Sequence, residues 1–298
     1  MAGAKLAAGL ITGSSALLAE AAHSTADSVN EVMLGVSLRR SRRAADEAHP
    51  FGYGGTRFLW AFLAAIFSFL IGGCVSIALA IHELQTRPEV DRFLVGWIVL
   101  GVAFLADGIS LAASLATTRR EAAQWDVSIV GFLRRTSDPT LRALVVEDTA
   151  ALIGVGLAAA GLFLHQVFGL TDADAIASLL IGLLLAATAL GLAGPLADLL
   201  IGQSMQPERL AIARGIIAAS PSVDEVLSAF GVHIGPQEVV VAAKVRPKPG
   251  QTSEQLARAF DDIDRSLRAS LREVAEVYLD PTSYSPEDTE AGQAPEPA

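Results

Sequence analysis

Long apolar runs, gathered between residues 1 and 204, narrow most sharply what this chain can fold into. A helix of about 20 apolar residues is long enough to cross the hydrocarbon core of a bilayer. The sequence predicts one short run, Ala2 to Ile11, and then five full spans. The turn signal Thr12-Gly13-Ser14 precedes the second span, which reaches Leu38. The third runs from Phe58 to Ile81, the fourth from Phe93 to Ala116, the fifth from Leu141 to Leu164 and the sixth from Ala173 to Ile201. The 298 residues are 52% hydrophobic and only 18% charged, and the mean hydropathy is +0.45. A soluble domain needs more charge than that on its surface. The expected fold is an α-helical polytopic membrane domain of six-span type whose first span is truncated, so that part of that span is expected to precede Met1.

Arginines set the expected orientation. Arg39, Arg40, Arg42, Arg43 and Arg57 follow the second span, and Arg119, Arg120, Arg134, Arg135 and Arg142 follow the fourth. The opposite connections carry only Arg87 and Arg92. Basic loops stay on the cytoplasmic side, which puts the C-terminal domain there as well. The expected location is a bacterial cytoplasmic membrane. There is no sign of a cleavable signal peptide, so the spans themselves are expected to direct insertion. Residues 121–137 read as a short amphipathic helix along the inner surface.

After Met205 the pattern changes. Pro207 to Ala219 and Ser253 to Leu271 read as amphipathic helices. Val226 to His233, Val239 to Val245 and Val274 to Leu279 read as strands, the first two split by Gly235-Pro236. The order αββαβ predicts a small α+β domain. The expected boundaries are 1–204 for the membrane domain, 205–283 for the soluble domain and 284–298 for a disordered acidic tail. The net charge of −10 comes largely from the C-terminal third, including Glu287, Asp288, Glu290 and Glu296. Phosphate backbones demand a basic face, so nucleic-acid binding is excluded. The single cysteine, Cys74, allows no internal disulfide and no cysteine-based metal cluster, and reads as a packing residue.

Ionisable groups inside a span are costly and mark functional sites. The second span holds Glu20, His23, Asp27 and Glu31, with Asn30 beside them, at offsets of three and four that favour one helical stripe. His23 and Asp27 lie one turn apart and can share an ion. An imidazole nitrogen with carboxylate oxygens suits Zn²⁺, argues against Mg²⁺ and Ca²⁺, and leaves Fe²⁺, Co²⁺, Mn²⁺ and Cd²⁺ open. One helix cannot surround an ion. The fifth span offers Glu147-Asp148 as the opposite wall. His23 lies roughly 13 Å from one end of its span and Asp148 roughly 10 Å from the other end of its own, at 1.5 Å per residue. In a core about 30 Å thick both fall towards the middle. Only one of Glu147 and Asp148 need face the site, because neighbours differ by about 100° around a helix.

Two stretches resemble the cation diffusion facilitator family: Thr12-Gly13-Ser14-Ser15-Ala16-Leu17-Leu18-Ala19-Glu20-Ala21-Ala22-His23-Ser24-Thr25-Ala26-Asp27 and Ala45-Asp46-Glu47-Ala48-His49-Pro50-Phe51-Gly52-Tyr53-Gly54. The resemblance extends over nearly the whole chain. It implies a homodimeric transporter, not an enzyme, with no cofactor, exchanging a cytoplasmic divalent metal, usually Zn²⁺, for protons. It also implies that His23 and Asp27 are metal ligands. Many members carry His-x-x-x-Asp on the fifth span, whereas here Leu144 stands four before Asp148. This chain is similar to the branch with Glu-Asp there, which implies Asp148 first and Glu147 second.

Other polar residues have plainer readings. Asp46 and His49 match a loop metal site of some members, but Tyr53 stands where those have histidine, so a weak or absent site is expected, with capping and loop structure as the plainer reading. Leu227, Ala243 and Tyr278 fall where other members hold soluble-domain ligands, leaving Asp280. Dimerisation is therefore that domain's expected role. Asp107 either lines the pathway or bonds a neighbouring helix. His82 and Glu83 end the third span near the outer surface and are expected to be solvated there, with an exit-side role as the alternative. His165, Asp172 and Asp174 sit in or beside the outer connection, and His233 reads as structural. Two rival readings are a membrane metalloprotease, which lacks a His-Glu-x-x-His motif here, and a non-transporting metal sensor, against which carboxylates in two spans argue.

Overall fold

The computed structural model describes residues 1–86, 92–124, 127–135 and 139–282. Arg87, the acidic tail and parts of the expected 121–137 helix lie outside the described residues. Helix α1 (Ala2–Thr12) ends where Gly13 takes a left-handed φ of 74°, and the Gly13 N–H returns to the Gly9 carbonyl at 2.9 Å. Glycine adopts that conformation without a Cβ penalty. Ser14 then caps α2 (Ser15–Ser41), its Oγ accepting the Leu17 N–H at 3.2 Å. Gly9 lets the two helices of this hairpin approach closely, since a Cβ there would lie 2.7 Å from Leu18 Cδ2.

The third span is not uniform. It comprises α3 (Thr56–Phe67), a π-helical stretch Ser68–Cys74 and α4 (Val75–Thr86). Next come α5 (Phe93–Gln124), α6 (Ile129–Arg135), α7 (Pro139–Phe168) and α8 (Ala173–Leu200). Gly72 and Gly73 are buried in the π-helical stretch, whereas Cys74 is exposed and so is not the packing residue it seemed. Where one surface helix over 121–137 was expected, α5 continues to Gln124 and α6 begins at Ile129.

Four of these segments are long and apolar enough to cross a membrane: Thr56–Thr86, Phe93–Ala123, Leu141–Phe168 and Ala173–Leu200. Helix α1, at 11 residues, is too short by itself, and α2 has the length, at 27 residues, but its polar stripe dilutes its hydropathy. That stripe is turned inward. Ala16, Ala19, Glu20, His23, Ala26 and Asn30 are buried, while Val32 is 68% exposed. Apolar side chains point outward elsewhere too, with Leu94 73% and Ile109 71% exposed, as lipid-facing helices require. The interior is built on small residues, among them Ala8, Ala103, Ala150, Ala158 and Ala177, so the backbones pack closely.

Residues 44–55, the connection between α2 and α3, group with the residues from Leu199 onward in a second compact unit. This unit contains α9 (Pro207–Ala218), β1 (Val223–Gly235), β2 (Glu238–Pro247), α10 (Ser253–Ser270) and β3 (Val274–Pro281). The sheet order is β1-β2-β3, with β1 antiparallel and β3 parallel to β2. Val239, Val241, Ala243 and Val245 alternate along β2 onto one face, where they meet Ile217, Ile263 and Leu267 of the helices. A capping box between Thr252 and Gln255 starts α10. The connection 44–55 touches the sheet, with the Phe51 ring 6.4 Å from that of Tyr278, edge to face.

Gly182 of α8 is the tightest crossing with the third span: a Cβ there would lie 2.9 Å from the Ile77 nitrogen and 3.1 Å from the Gly73 oxygen. Gly182→Ala is expected to lower stability by about 1–3 kcal/mol through overpacking. Gly191→Ala, with open space around it, should leave stability unchanged or raised. Thermal unfolding of the detergent-purified full chain reads both.

Candidate metal site

The inward face of α2 places Glu20, His23, Asp27 and Asn30 along one seam. Glu31, expected on the same stripe, is exposed, and beyond Asn30 α2 buries only Ser37. His23 Nδ1 stands 3.5 Å from Asp27 Oδ1, with the histidine side chain 5% and the aspartate 34% exposed. His23 Nε2 and Asp27 Oδ1 are both buried without a hydrogen-bond partner. A cavity of about 10 Å³ lies against His23, Ser68, Glu147 and Thr188, with room for about one water.

Helices α3 to α4 and α7 supply the facing wall. The Asn30 side-chain amide donates to Ser68 Oγ at 2.8 Å and to Glu147 Oε1 at 2.9 Å, tying α2 to the π-helical stretch and to α7. Such stretches recur at functional sites. Asp148 turns elsewhere: its Oδ1 accepts from Ser110 Oγ of α5 at 2.9 Å, and its Oδ2 has no partner. The structure thus brings His23, Asp27 and Glu147 to one seam and carries Asp148 to the α5 side of α7. Among the described residues no three His, Cys, Asp or Glu side chains converge closely enough to hold a metal.

Two features escaped sequence reasoning. Glu83 is buried, 5% exposed, rather than solvated. Its Oε2 accepts the Ser15 N–H at 3.2 Å, while fully buried Asp174 accepts Ser14 Oγ at 2.8 Å and the Ala16 N–H at 3.1 Å. Two carboxylates from α4 and α8 therefore satisfy the free N–H groups and the dipole at the start of α2. Lys5, 1% exposed, pairs with Glu20 at 2.9 Å and with Asp107 at 3.5 Å. A lone lysine inside an apolar run was the available signal.

With this geometry in view, comparison with known proteins is informative. Residues 1–201 match the cation efflux transmembrane domain family. The chain belongs to the cation efflux family, the cation diffusion facilitators. Metal tolerance protein C4 of Arabidopsis thaliana is 32% identical over 220 residues, 74% of this chain and 48% of that protein. The mitochondrial proton-coupled zinc antiporter SLC30A9 of Xenopus laevis is 26% identical over 241 residues, 81% of this chain and 43% of that protein. Magnetosome protein MamB of Magnetospirillum gryphiswaldense is 27% identical over 278 residues, 91% of this chain and 85% of that protein. This chain spans about half the length of the first two.

In this cation diffusion facilitator the connection between α2 and α3 is a self-bonded clasp. Asp46 Oδ1 accepts the N–H groups of Ala48 and His49 at 3.1 and 2.8 Å, and Oδ2 accepts the Tyr53 hydroxyl at 2.7 Å. The His49 and Tyr53 rings lie 4.2 Å apart. Tyr53 therefore takes the carboxylate oxygen that a metal would need. In the second unit, Ala243 is core and Tyr278 is 52% exposed against Phe51. His233 on β1 is half-buried, and burial holds its imidazole below the ordinary value. The Tyr53 hydrogen bond, followed by that from the His49 backbone, holds the Asp46 carboxyl below its usual range. A depressed carboxylate stabilises above its unfolded pKa, about 3.9, and that contribution fades as pH falls through the lower folded value. Hydrogen exchange at residues 46–53 of the full chain should therefore stay slow down to about pH 4, and Tyr53→Phe should move the loss of protection to higher pH.

Proposed function

We propose that this chain is a divalent metal cation transporter that carries Zn²⁺ out of the cytoplasm in exchange for protons, working as a homodimer by alternating access. The observation that carries this reading is His23: a buried imidazole in a membrane helix, its Nε2 unpartnered and its ring on a cavity shared with Glu147. A free imidazole nitrogen beside carboxylates on two helices is a donor set for a borderline cation such as Zn²⁺. The SLC30A9 relative, by name a proton-coupled zinc antiporter, favours the same cargo and the same driving ion. The proposed ligands are His23 and Asp27 from α2 with Glu147 or Asp148 from α7. Asn30 orients Glu147.

The chemistry follows from the residue types. A metal binds only the deprotonated forms of imidazole and carboxylate, so metal entry releases the protons these groups hold and metal departure lets them return. Opening the site to one face at a time turns that exchange into coupled flux. Glu147 and Asp148 differ by about 100° around α7, and Glu147 is the one bonded to Asn30 of α2. Arginine-rich connections and the soluble unit lie on the cytoplasmic side in this reading, in keeping with the positive-inside rule. The membrane is proposed to be a bacterial cytoplasmic membrane.

In proteoliposomes with an imposed pH gradient, His23→Ala and Asp27→Ala should reduce Zn²⁺ flux to background while the purified proteins elute like the parent. Unchanged flux in either would overturn the site. Asn30→Ala, which removes the hydrogen bonds to Ser68 and Glu147 but no proposed ligand, should weaken Zn²⁺ binding by about 10–100-fold. Competition with Fe²⁺, Co²⁺ and Mn²⁺ in the same vesicles reads the metal preference.

A further inference from the structure

Two carboxylates that are not among the proposed ligands converge on one cation. Glu20 comes from α2 and Asp107 from α5, and the cation between them is the Lys5 ammonium of α1, at 2.9 and 3.5 Å. Lys5 and Glu20 are essentially inaccessible, at 1% and 0%, while the Asp107 side chain is 20% exposed. A buried charge in a span is tolerated only when it is paired. Here the count does not balance: two carboxylates face one ammonium.

The surplus has a direction. Glu20 uses Oε2 for Lys5, and its Oε1 is buried with no hydrogen-bond partner. That oxygen lies against Gly154 of α7, where a Cβ would stand 2.2 Å from it. Glu20 thus reaches the same α2–α7 seam that holds His23 and Glu147. Three residues along α2 separate it from His23, a rise of about 4.5 Å. A pair serving only to fasten helices needs one carboxylate per ammonium and leaves no oxygen bare. Asp107 and the free Glu20 oxygen are more than that task requires.

We propose that Glu20 and Asp107 form a second divalent-cation position on the transport path, which the tethered Lys5 ammonium occupies when no metal is there. The inference deepens the transporter reading and rests on it for the path. An arriving Zn²⁺ brings two charges to two carboxylates, where the ammonium brings one, and displacing Lys5 breaks no covalent bond. Lys5 then returns as the ion moves on, so the carboxylates are never left bare in the membrane.

The test counts bound metal on the detergent-purified full chain equilibrated with Zn²⁺. Lys5→Gln should hold one more Zn²⁺ per chain than the parent, and adding Glu20→Gln or Asp107→Asn should remove that extra ion. Lys5→Gln combined with His23→Ala should keep the extra ion while losing the His23 one, which separates this position from the proposed site. Equal stoichiometry in Lys5→Gln and parent, or a gain that survives Glu20→Gln, overturns the proposal. Should Lys5→Gln aggregate, the neutral pair Lys5→Met with Glu20→Gln decides. It should lower Zn²⁺ turnover in vesicles by about tenfold or more while affinity at the His23 site stays within about twofold. Full turnover would show a fastening pair only and overturn the proposal. A parent chain that neither binds nor carries Zn²⁺ would sink the transporter reading, and the Lys5→Gln count would still be read for itself.

Discussion

A polar group facing hydrocarbon has no water to replace its hydrogen bonds, and this cost governs the arrangement of α2. The helix carries Glu20, His23, Asp27 and Asn30 through the bundle, so their face must turn inward and other helices must meet it. Each neighbour does so with a specific atom. Helices α4 and α8 present Glu83 and Asp174 to the first N–H groups of α2. Helix α1 presents Lys5 to Glu20, and α7 presents Glu147 to Asn30. The rest of the bundle can then be alanine and glycine, because its close packing serves to hold these partners in place.

Satisfaction along this seam is incomplete, and the gaps are ordered. Glu20 Oε1, His23 Nε2, Asp27 Oδ1 and Asn30 Oδ1 are all buried without partners. Buried polar groups are rarely left so unless something else is meant to meet them. These four lie on one helix face, and the small cavity lined by His23 adjoins it. The π-helical stretch contributes by bringing Ser68 within reach of Asn30.

Much of this was legible beforehand. His23 and Asp27 stood out because charge inside an apolar run is expensive, and the αββαβ order followed from the change of hydrophobic period after Met205. Glu147 and Asp148 could be nominated together, but not ranked. Their spacing says only that they diverge, and the side that faces α2 depends on how α7 is rotated by Asn30 on one flank and Ser110 on the other. Glu83 was misjudged because a residue near a span end is ordinarily wet. The start of α2 lies at that level and needs acceptors, which linear reading could not show. Lys5 went unremarked because the run holding it was judged by its length.

The sequence alone determined that this chain enters the membrane, that Glu20, His23, Asp27 and Asn30 share one helix, and that a small mixed domain follows, since hydropathy and periodicity are properties of neighbouring residues. Tertiary structure decided which groups meet. Lys5 and Asp107 lie 102 residues apart, and Ser14 and Asp174 lie 160 apart. Residues 44–55 lie against a sheet whose strands begin at Val223. Such pairings arise because a buried charge must find its opposite wherever folding brings one. No local pattern encodes that choice.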